Sequence, residues 1–278
     1  MTSTTTTTGS AGRATARQDG TAVLALQLAG PLQSWGVSAR FARRTTEPAP
    51  TKSGVIGMLA AALGVERDDD TTLARLARLR FGVRIDQPGT RVRDFQTARH
   101  FDTHDAMPLS ERFYLADAVF VAAVEGDHAT VTELREALRT PVYLPYLGRR
   151  SCPPARPLDF TPDRDIHTGT SLEDVLTNEP WHASEWHQRR HPTHHATAAL
   201  RAMVEPPAVL PGDPAVTVPL GDGLRDQPLS FSSRHRRYGL RTVTELDRIH
   251  VPNPWHRPRN GPGGPFDDHD PMTALAGN

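Results

Sequence analysis

Lysine and cysteine are almost absent from this chain of 278 residues, which contains one of each, Lys52 and Cys152. A single cysteine excludes an internal disulfide framework and a zinc cluster of several thiolates. Hydrophobic residues make up 37% of the chain, which is low for a compact globular protein. The 25 prolines and 21 glycines predict much irregular structure instead.

Net charge is lacking as well, because 32 basic residues balance 32 acidic ones. Bulk electrostatics therefore do not indicate a nucleic-acid-binding protein, and any anion-binding site must be local. The threonine-rich residues 1–20 contain no apolar run, which predicts neither a signal peptide nor a membrane anchor there. We expect a disordered leader at residues 1–20 and a cytoplasmic protein without membrane contacts.

The order of apolar patterns predicts a β-α-β-β-α-β arrangement. Alternating leucines predict a strand at residues 22–28, and an apolar stripe predicts a helix at residues 50–64. Further along, the patterns predict a helix at 71–79, a strand at 81–85, a buried central strand at 115–124, a helix at 130–138 with a Thr130–Glu133 capping box, and a short edge strand at 142–148.

This order is typical of an α+β, ferredoxin-like or RRM-like domain, which we assign to residues 21–157. A polar stretch at about residues 87–114 is too long for a hairpin turn, and we interpret it as an inserted β-hairpin. We expect an irregular, proline-rich C-terminal extension at residues 158–250 and a disordered tail at residues 251–278. Within the extension, residues 231–243 favour a strand or hairpin, in which Arg234, Arg236 and Arg237 are candidate RNA contacts or a solvated face.

Lys52 stands at the start of the helix predicted at residues 50–64. A phosphate-binding P-loop would need glycine directly before the lysine, and Thr51 stands there instead. Thr51 or Ser53 can cap the helix. The free N–H groups and positive dipole end favour an anion, to which Lys52 adds a full charge. The alternative is a capped structural helix with a solvated lysine.

The segment PYLGRRSCPPARP at residues 145–157 carries a stronger signal for anion binding. A glycine allows close approach to a ligand, two arginines offer forked donors for phosphate or guanine, and tyrosines can stack bases. The alternative is an arginine-rich surface turn. The residues concerned are Tyr143, Tyr146, Gly148, Arg149, Arg150 and Ser151.

Histidines recur at four-residue spacing at His187, His191 and His195, which on a helix could bind zinc. Pro180 and Pro192 argue against a regular helix there, and we assign no metal site and no cofactor. The chain also lacks a G-x-S-x-G nucleophile elbow and an H-E-x-x-H motif.

Three segments in chain order resemble the CasD family: LAGPLQSWG at residues 28–36, PTKSGVIGMLAAALGVERDD at 50–69, and PYLGRRSCPPARP at 145–157. Proteins of that family are RNA-binding subunits of type I-E CRISPR surveillance complexes (Cascade) and belong to the RAMP superfamily. The resemblance implies an RRM-like fold with a β-hairpin thumb. It also implies that the protein caps the CasC backbone, holds the 5′ handle of the crRNA, lies near the CasA subunit and meets target DNA through the assembled complex.

The resemblance further implies residue roles. The RNA-binding residues would be Arg44, Lys52, Ser53, Tyr146, Gly148, Arg149, Arg150 and Ser151. The thumb residues in contact with RNA or CasC would be Arg93, Phe95, Gln96 and Arg99. For Trp35 we favour packing beneath the neighbouring loop over stacking on a base.

A metal-independent endoribonuclease is the competing function, because a related subunit of type I-C systems cuts repeat RNA. Such cleavage needs a base, an acid and a cation near the phosphate. The candidates are His100, His104, Tyr114 and Lys52. A type I-E complex contains a separate nuclease, CasE, and we therefore expect a non-catalytic subunit with no catalytic residue.

Overall fold

A computed structural model of the protein describes residues 20–36, 43–160, 165–207 and 221–258. The strands in these residues are β1 (Thr21–Gln33), β2 (Arg43–Arg44), β3 (Arg80–Gln87), β4 (Thr90–Gln96), β5 (Ser110–Asp127), β6 (Ile166–Thr168), β7 (Thr197–Val204), β8 (Asp222–Ser230), β9 (Arg237–Glu245) and β10 (Ile249–Pro252). The helices are α1 (Lys52–Ala62), α2 (Asp70–Ala77), α3 (His128–Arg139), α4 (Leu172–Asn178) and α5 (Glu185–Arg190). Across the described ranges, no helix is long and apolar enough to cross a membrane.

The strands form one connected sheet in the order β6-β1-β5-β3-β7-β9-β8, with antiparallel pairing throughout this path. The long strand β5 is central, since it pairs with both β1 and β3. The short strand β10 extends the sheet through β7. The predicted mixture of helices and sheet is confirmed.

Apolar cores cover both faces of the sheet. Leu24, Leu26 and Leu28 of β1 join a larger cluster with α1, α2 and α3, whereas Val23 and Ala25 point to the other face and pack near α4. The alternation predicted for this strand is therefore confirmed, and it places α1 on the face with the larger core.

The predicted edge strand at residues 142–148 is wrong, because this segment is a loop. Val142 and Tyr143 donate their backbone N–H groups to carbonyls at the end of α1, at 2.9 and 3.3 Å, and Pro145 has no N–H to donate. These amides are unavailable to a sheet. The strand β6 pairs with β1 instead.

Two predictions about helix starts have different outcomes. Thr51 caps α1 as expected, accepting the N–H of Gly54 at 3.2 Å. The capping box at Thr130 is wrong, because the N-cap of α3 lies three residues earlier, at Asp127, which accepts the N–H of Thr130 at 2.9 Å. Aspartate and threonine are both favourable N-cap residues, so the sequence pattern fits a cap at either Asp127 or Thr130.

The polar stretch at residues 87–114 contains β4, which pairs antiparallel with the first part of β5. We call residues 90–116 the arm. In the C-terminal part, the strand or hairpin predicted at residues 231–243 is found as β9, which pairs with β8, while residues 231–236 connect the two strands.

The tail boundary predicted at residue 251 is wrong, since Val251 is buried in β10 and the described residues continue to 258. Residues 1–19 of the predicted leader and 259–278 of the predicted tail lie outside the described residues.

Candidate nucleic-acid interface

A groove of about 1540 Å³ runs along α1. Its floor includes Gly54, Gly57 and Ala61 of α1, whose small side chains leave a smooth surface. The loop at residues 143–150 forms one part of the lining, and the β8–β9 connection forms another. The helix, the loop and the connection together shape a cleft wide enough for an extended ligand.

The groove is locally basic in a chain without net charge. Its charged lining residues are Arg44, Arg67, Arg149, Arg150 and Arg236 against Glu66 and Asp68. Five guanidinium groups outweigh two carboxylates, which favours an anionic ligand. This agrees with the expectation that any anion site must be local.

The loop at residues 148–151 is fixed by backbone geometry. Gly148 has a φ of +85°, and a Cβ on it would lie 1.8 Å from the carbonyl oxygen of Ser34. The turn is closed by hydrogen bonds between Leu147 and Cys152 at 2.7 Å and between Cys152 and Arg149 at 2.8 Å. Only glycine fits here, and the turn holds the following arginines in place.

Arg149 is oriented by two contacts. Its guanidinium group lies over the ring of Tyr114, 4.7 Å from the centroid, and its Nη2 donates to the carbonyl oxygen of Arg44 at 2.9 Å. Its Nη1 is buried and has no hydrogen-bond partner within the described chain. Arg150 and Ser151 are exposed beside it, and Tyr146 is half-buried in the groove lining.

The structure corrects the role expected for Lys52. Its ammonium group is 3.0 Å from both carboxylate oxygens of Glu205, and the residue is only 3% exposed. Burial lowers the pKa of Lys52, and the charge of Glu205 opposes that shift. Because this charge is matched inside the protein, Lys52 does not offer it to a ligand in the groove.

The start of α1 is also neutralised from within. The backbone N–H of Lys52 donates to Asp226 of β8 at 2.7 Å, and Arg241 donates to the same carboxylate at 2.5 and 2.9 Å. The anion that this helix start favours is therefore a carboxylate of the protein itself. Ser53 still lines the groove, with its hydroxyl 3.4 Å from that of Thr51.

Trp35 is fully buried, which confirms packing over base stacking. Its Nε1 donates to Gln33 at 3.1 Å, and a Cβ on Gly54 would lie 2.8 Å from its ring. The glycine at the start of α1 therefore makes room for this tryptophan.

The four arm residues do not line the groove. Arg93 is exposed and lies over the ring of Phe95, 4.7 Å from its centroid, while Phe95 is 48% exposed. Gln96 donates to Asp94 at 2.8 Å, and Arg99 is exposed. The arm thus presents a separate surface of arginine and aromatic side chains.

The histidine segment does not form the helix that zinc binding would need. The helix α5 ends at Arg190, and both His191 and His195 follow it. His191 packs against Trp181, 5.4 Å between ring centroids. Within the described ranges, no three histidine, cysteine or acidic side chains are grouped as metal ligands would be.

Among the nuclease candidates, His104 donates its backbone N–H to the carbonyl oxygen of His100 at 3.1 Å, but no hydrogen bond, ion pair or ring contact in the described residues joins either histidine to Lys52 or Tyr114. Lys52 is paired with Glu205, and Tyr114 is buried beneath Arg149. His100 and His104 lie in the connection of the arm, where Nδ1 of His100 accepts backbone N–H groups at 3.3 Å.

Sequence reasoning missed the partners of the α1 start. Glu205 and Asp226 lie 153 and 174 residues after Lys52, in the segment where prolines obscured the pattern. It also assigned no place to Phe231 and Tyr238, which line the groove. The aromatic residues flanking a basic run, FSSRHRRY, were the available signal.

Comparison with known proteins gives consistent results. The sequence pattern of the family described as "CRISPR-associated protein (Cas_Cas5)" matches residues 23–244. The "CRISPR system Cascade subunit CasD" of Escherichia coli (strain K12) is 40% identical over 154 residues, covering 49% of this chain and 68% of that protein.

Two solved structures are similar over most of their length. A chain of a "CRISPR RNA-guided surveillance complex" matches with a TM-score of 0.64 and 31% identity, covering 86% of this chain and 95% of that chain. A "Crystal structure of Cas protein" matches with a TM-score of 0.58 and 31% identity, covering 87% of this chain and 100% of that chain. The resemblance seen in the three segments is thereby confirmed, and the chain belongs to the CRISPR-associated Cas5 family, which includes CasD.

Proposed function

We propose that this protein is the CasD-type subunit of a Cascade surveillance complex, and that it holds the 5′ handle of the crRNA in the groove along α1. Membership of the CRISPR-associated family supports this role, as does the similarity to CasD of Escherichia coli. In the complex it caps the CasC backbone, lies near CasA and meets target DNA through the assembly, in the cytoplasm.

The basic groove with Arg149 at its edge is the observation that carries the proposal. Stacking on Tyr114 and the hydrogen bond to Arg44 fix the guanidinium plane, while Nη1 has no hydrogen-bond partner among the residues that the structure describes. Buried donors are normally satisfied, so an RNA oxygen that pairs with Nη1 after a small shift would gain a strong, charge-assisted hydrogen bond. Arg150, Ser151 and Arg44 extend the basic edge.

For the fold we propose a ferredoxin-like, RRM-like domain in which β6 takes the fourth strand position. The order β6-β1-β5-β3 places the first and third core strands at the centre, as this arrangement requires. The arm is then the thumb, and Arg93, Phe95, Gln96 and Arg99 contact RNA or CasC. The exposure of Arg93, Phe95 and Arg99 on one extended hairpin, with Gln96 half-buried beside them, supports this assignment.

We propose binding without catalysis and without a cofactor. Lys52 and Tyr114 are each engaged by other residues of the protein, which supports a scaffold role over cleavage. Incubating the chain with its repeat RNA in excess chelator tests this point. We expect intact RNA on a denaturing gel, and a discrete cut would favour the endoribonuclease.

The main test replaces Arg149 and Arg150 with alanine. We expect weaker binding of a handle-containing RNA and a logarithmic salt slope that is shallower by about 1.4, because each phosphate contact to a single strand contributes about 0.7. Fluorescence anisotropy at several salt concentrations measures both quantities.

Arg189→Ala combined with Arg201→Ala is the matched control. It also removes two exposed arginines, each ion-paired outside the groove. We expect little effect on RNA affinity. If both double variants change the salt slope equally, the groove is not the RNA site.

A further inference from the structure

The connection between β8 and β9 lies against α1 at the groove. The ring of Phe231 is 3.4 Å from the position that a Cβ on Gly57 would occupy. Tyr238 is the second residue of β9, and its ring centroid is 6.5 Å from that of Phe231. Both rings are half-buried and both line the groove, so each has one face in the protein and atoms open to a ligand.

Positive charge surrounds these two rings. Residues 232–237 include Arg234, Arg236 and Arg237, all exposed, and no acidic residue. Arg236 lines the groove, whereas Arg237 is 3.3 Å from Asp70 at the start of α2. Aromatic rings beside arginines are the combination with which proteins bind single-stranded RNA, by stacking bases and neutralising phosphates.

Polar contacts hold β8, the strand that leads into this connection, in position. Asp226 of β8 accepts the N–H of Lys52 at 2.7 Å and is paired with Arg241. The neighbouring Gln227 donates to the carbonyl of Ala77 at the end of α2, at 2.7 Å. The hairpin is therefore fastened to the first helix and to the second. A surface fixed in this way binds without the cost of ordering a loop.

We propose that the β8–β9 connection is a second wall of the RNA groove, and that Phe231 and Tyr238 stack one unpaired base of the bound RNA. The inference rests on the proposed function, that the groove takes the crRNA handle. It assigns an RNA-binding role to the C-terminal extension, with Arg236 at a phosphate.

Tyr238→Ala and Tyr238→Phe test the stacking. We expect alanine to weaken binding of a handle-containing RNA about ten-fold, as removal of a stacking ring does, and phenylalanine to bind nearly as the native chain. The same measurement is repeated with RNAs that each lack one base. At the stacked position the missing base weakens binding to the native chain, and Tyr238→Ala causes no further loss there.

Arg236→Ala tests the second wall without changing an aromatic side chain that packs against the protein. We expect the salt slope to become shallower by about 0.7, with Arg201→Ala as the control that leaves it unchanged. Arg236 is exposed, so this variant stays informative even if Tyr238→Ala unfolds, which thermal melting reports.

The outcomes separate the two proposals. If the native chain binds no RNA, or if replacing Arg149 and Arg150 has no effect, the proposed function fails. Suppose instead that replacing Arg149 and Arg150 weakens RNA binding, but Arg236→Ala leaves the salt slope unchanged and Tyr238→Ala weakens the binding of every RNA equally. The proposal of a second wall is then overturned, while the groove along α1 remains the proposed RNA site.

Discussion

The start of α1 and the loop at residues 148–151 both carry positive charge, and the sequence patterns predicted RNA binding for both. In the structure, the charge at the helix start is paired within the protein, whereas the charge at the loop is available to a ligand. Lys52 is 3% exposed and its ammonium group is paired with Glu205. Arg150 is exposed, and Nη1 of Arg149 has no partner among the described residues. The two sites differ in their acidic partners: distant segments supply carboxylates to the helix start, whereas no ion pair within the described ranges involves the arginines of the loop.

This contrast shows how a basic motif is to be interpreted. A helix start and a lysine favour an anion, but the favoured anion can be an acidic side chain of the same protein. Asp226 and Glu205 fill that role here, one on the backbone N–H and the other on the ammonium group of Lys52. A local motif predicts the charge of the partner and not its origin.

Lys52→Ala should destabilise the protein more than any other variant considered. It leaves Glu205 buried without its closest counter-charge, and we expect the free energy of unfolding to fall by about 3 kcal/mol. Chemical denaturation measures the loss. The salt slope of RNA binding should stay unchanged, in contrast to that of the Arg149 and Arg150 variant.

The control for this variant combines Lys52→Met with Glu205→Gln, which removes both charges and keeps the volume. We expect it to recover part of the stability, since a neutral pair needs no counter-charge. A stable Lys52→Ala protein with a shallower salt slope would show that the lysine contacts RNA after all.

Gly148→Ala tests whether the backbone of the loop positions its arginines. Its Cβ would overlap the carbonyl oxygen of Ser34, and a left-handed conformation costs a non-glycine residue about 1–2 kcal/mol in addition. We expect a loss of about 2 kcal/mol in unfolding free energy and weaker RNA binding, because the loop must shift Arg149. Gly169→Ala is the matched control, with a φ of +68° and no neighbour within 4 Å of a Cβ. Equal RNA affinity in both variants would mean that the loop geometry does not position the arginines.

Asp127→Ala has the smallest expected effect and provides the baseline for a helix start without buried partners. Removing this cap of α3 should cost about 1 kcal/mol of unfolding free energy at neutral pH. Hydrogen bonds from Thr130 lower the pKa of Asp127, so its contribution is present above the ordinary aspartate pKa and is lost as pH falls through the lowered value. Denaturation curves of native and variant chains should therefore converge in acid, and a difference independent of pH would contradict this origin.

Sequence patterns predicted the elements that depend on local periodicity and caps. The strand around Leu24 and Leu28, the helix capped by Thr51 and the arginine turn after Leu147 all follow from neighbours in sequence. The loop at residues 142–148 was predicted as a strand, because its short apolar run satisfies the strand pattern, but the amides of Val142 and Tyr143 are bonded to the end of α1.

The site was predictable only in part for a related reason. Gly148, Arg149 and Arg150 are adjacent in sequence, and their chemistry can be read together. The pairing of Lys52 with Glu205 and the arrival of Tyr238 at the groove depend on strand order, which no short window contains. Tertiary placement therefore decides which basic residues remain available.

The ion pair between Lys52 and Glu205 has a consequence for the autonomy of the first 157 residues. The pair joins α1, which forms the floor of the groove, to Glu205, which directly follows β7. Glu205 also accepts the N–H of Phe81 at 2.9 Å. A chain truncated at residue 157 would keep the lysine and lose the carboxylate, along with the strand β7 that pairs with β3. We therefore expect the segment with all three CasD-like motifs to be unstable when it is excised, and shortened expression variants to need residues at least through Glu205.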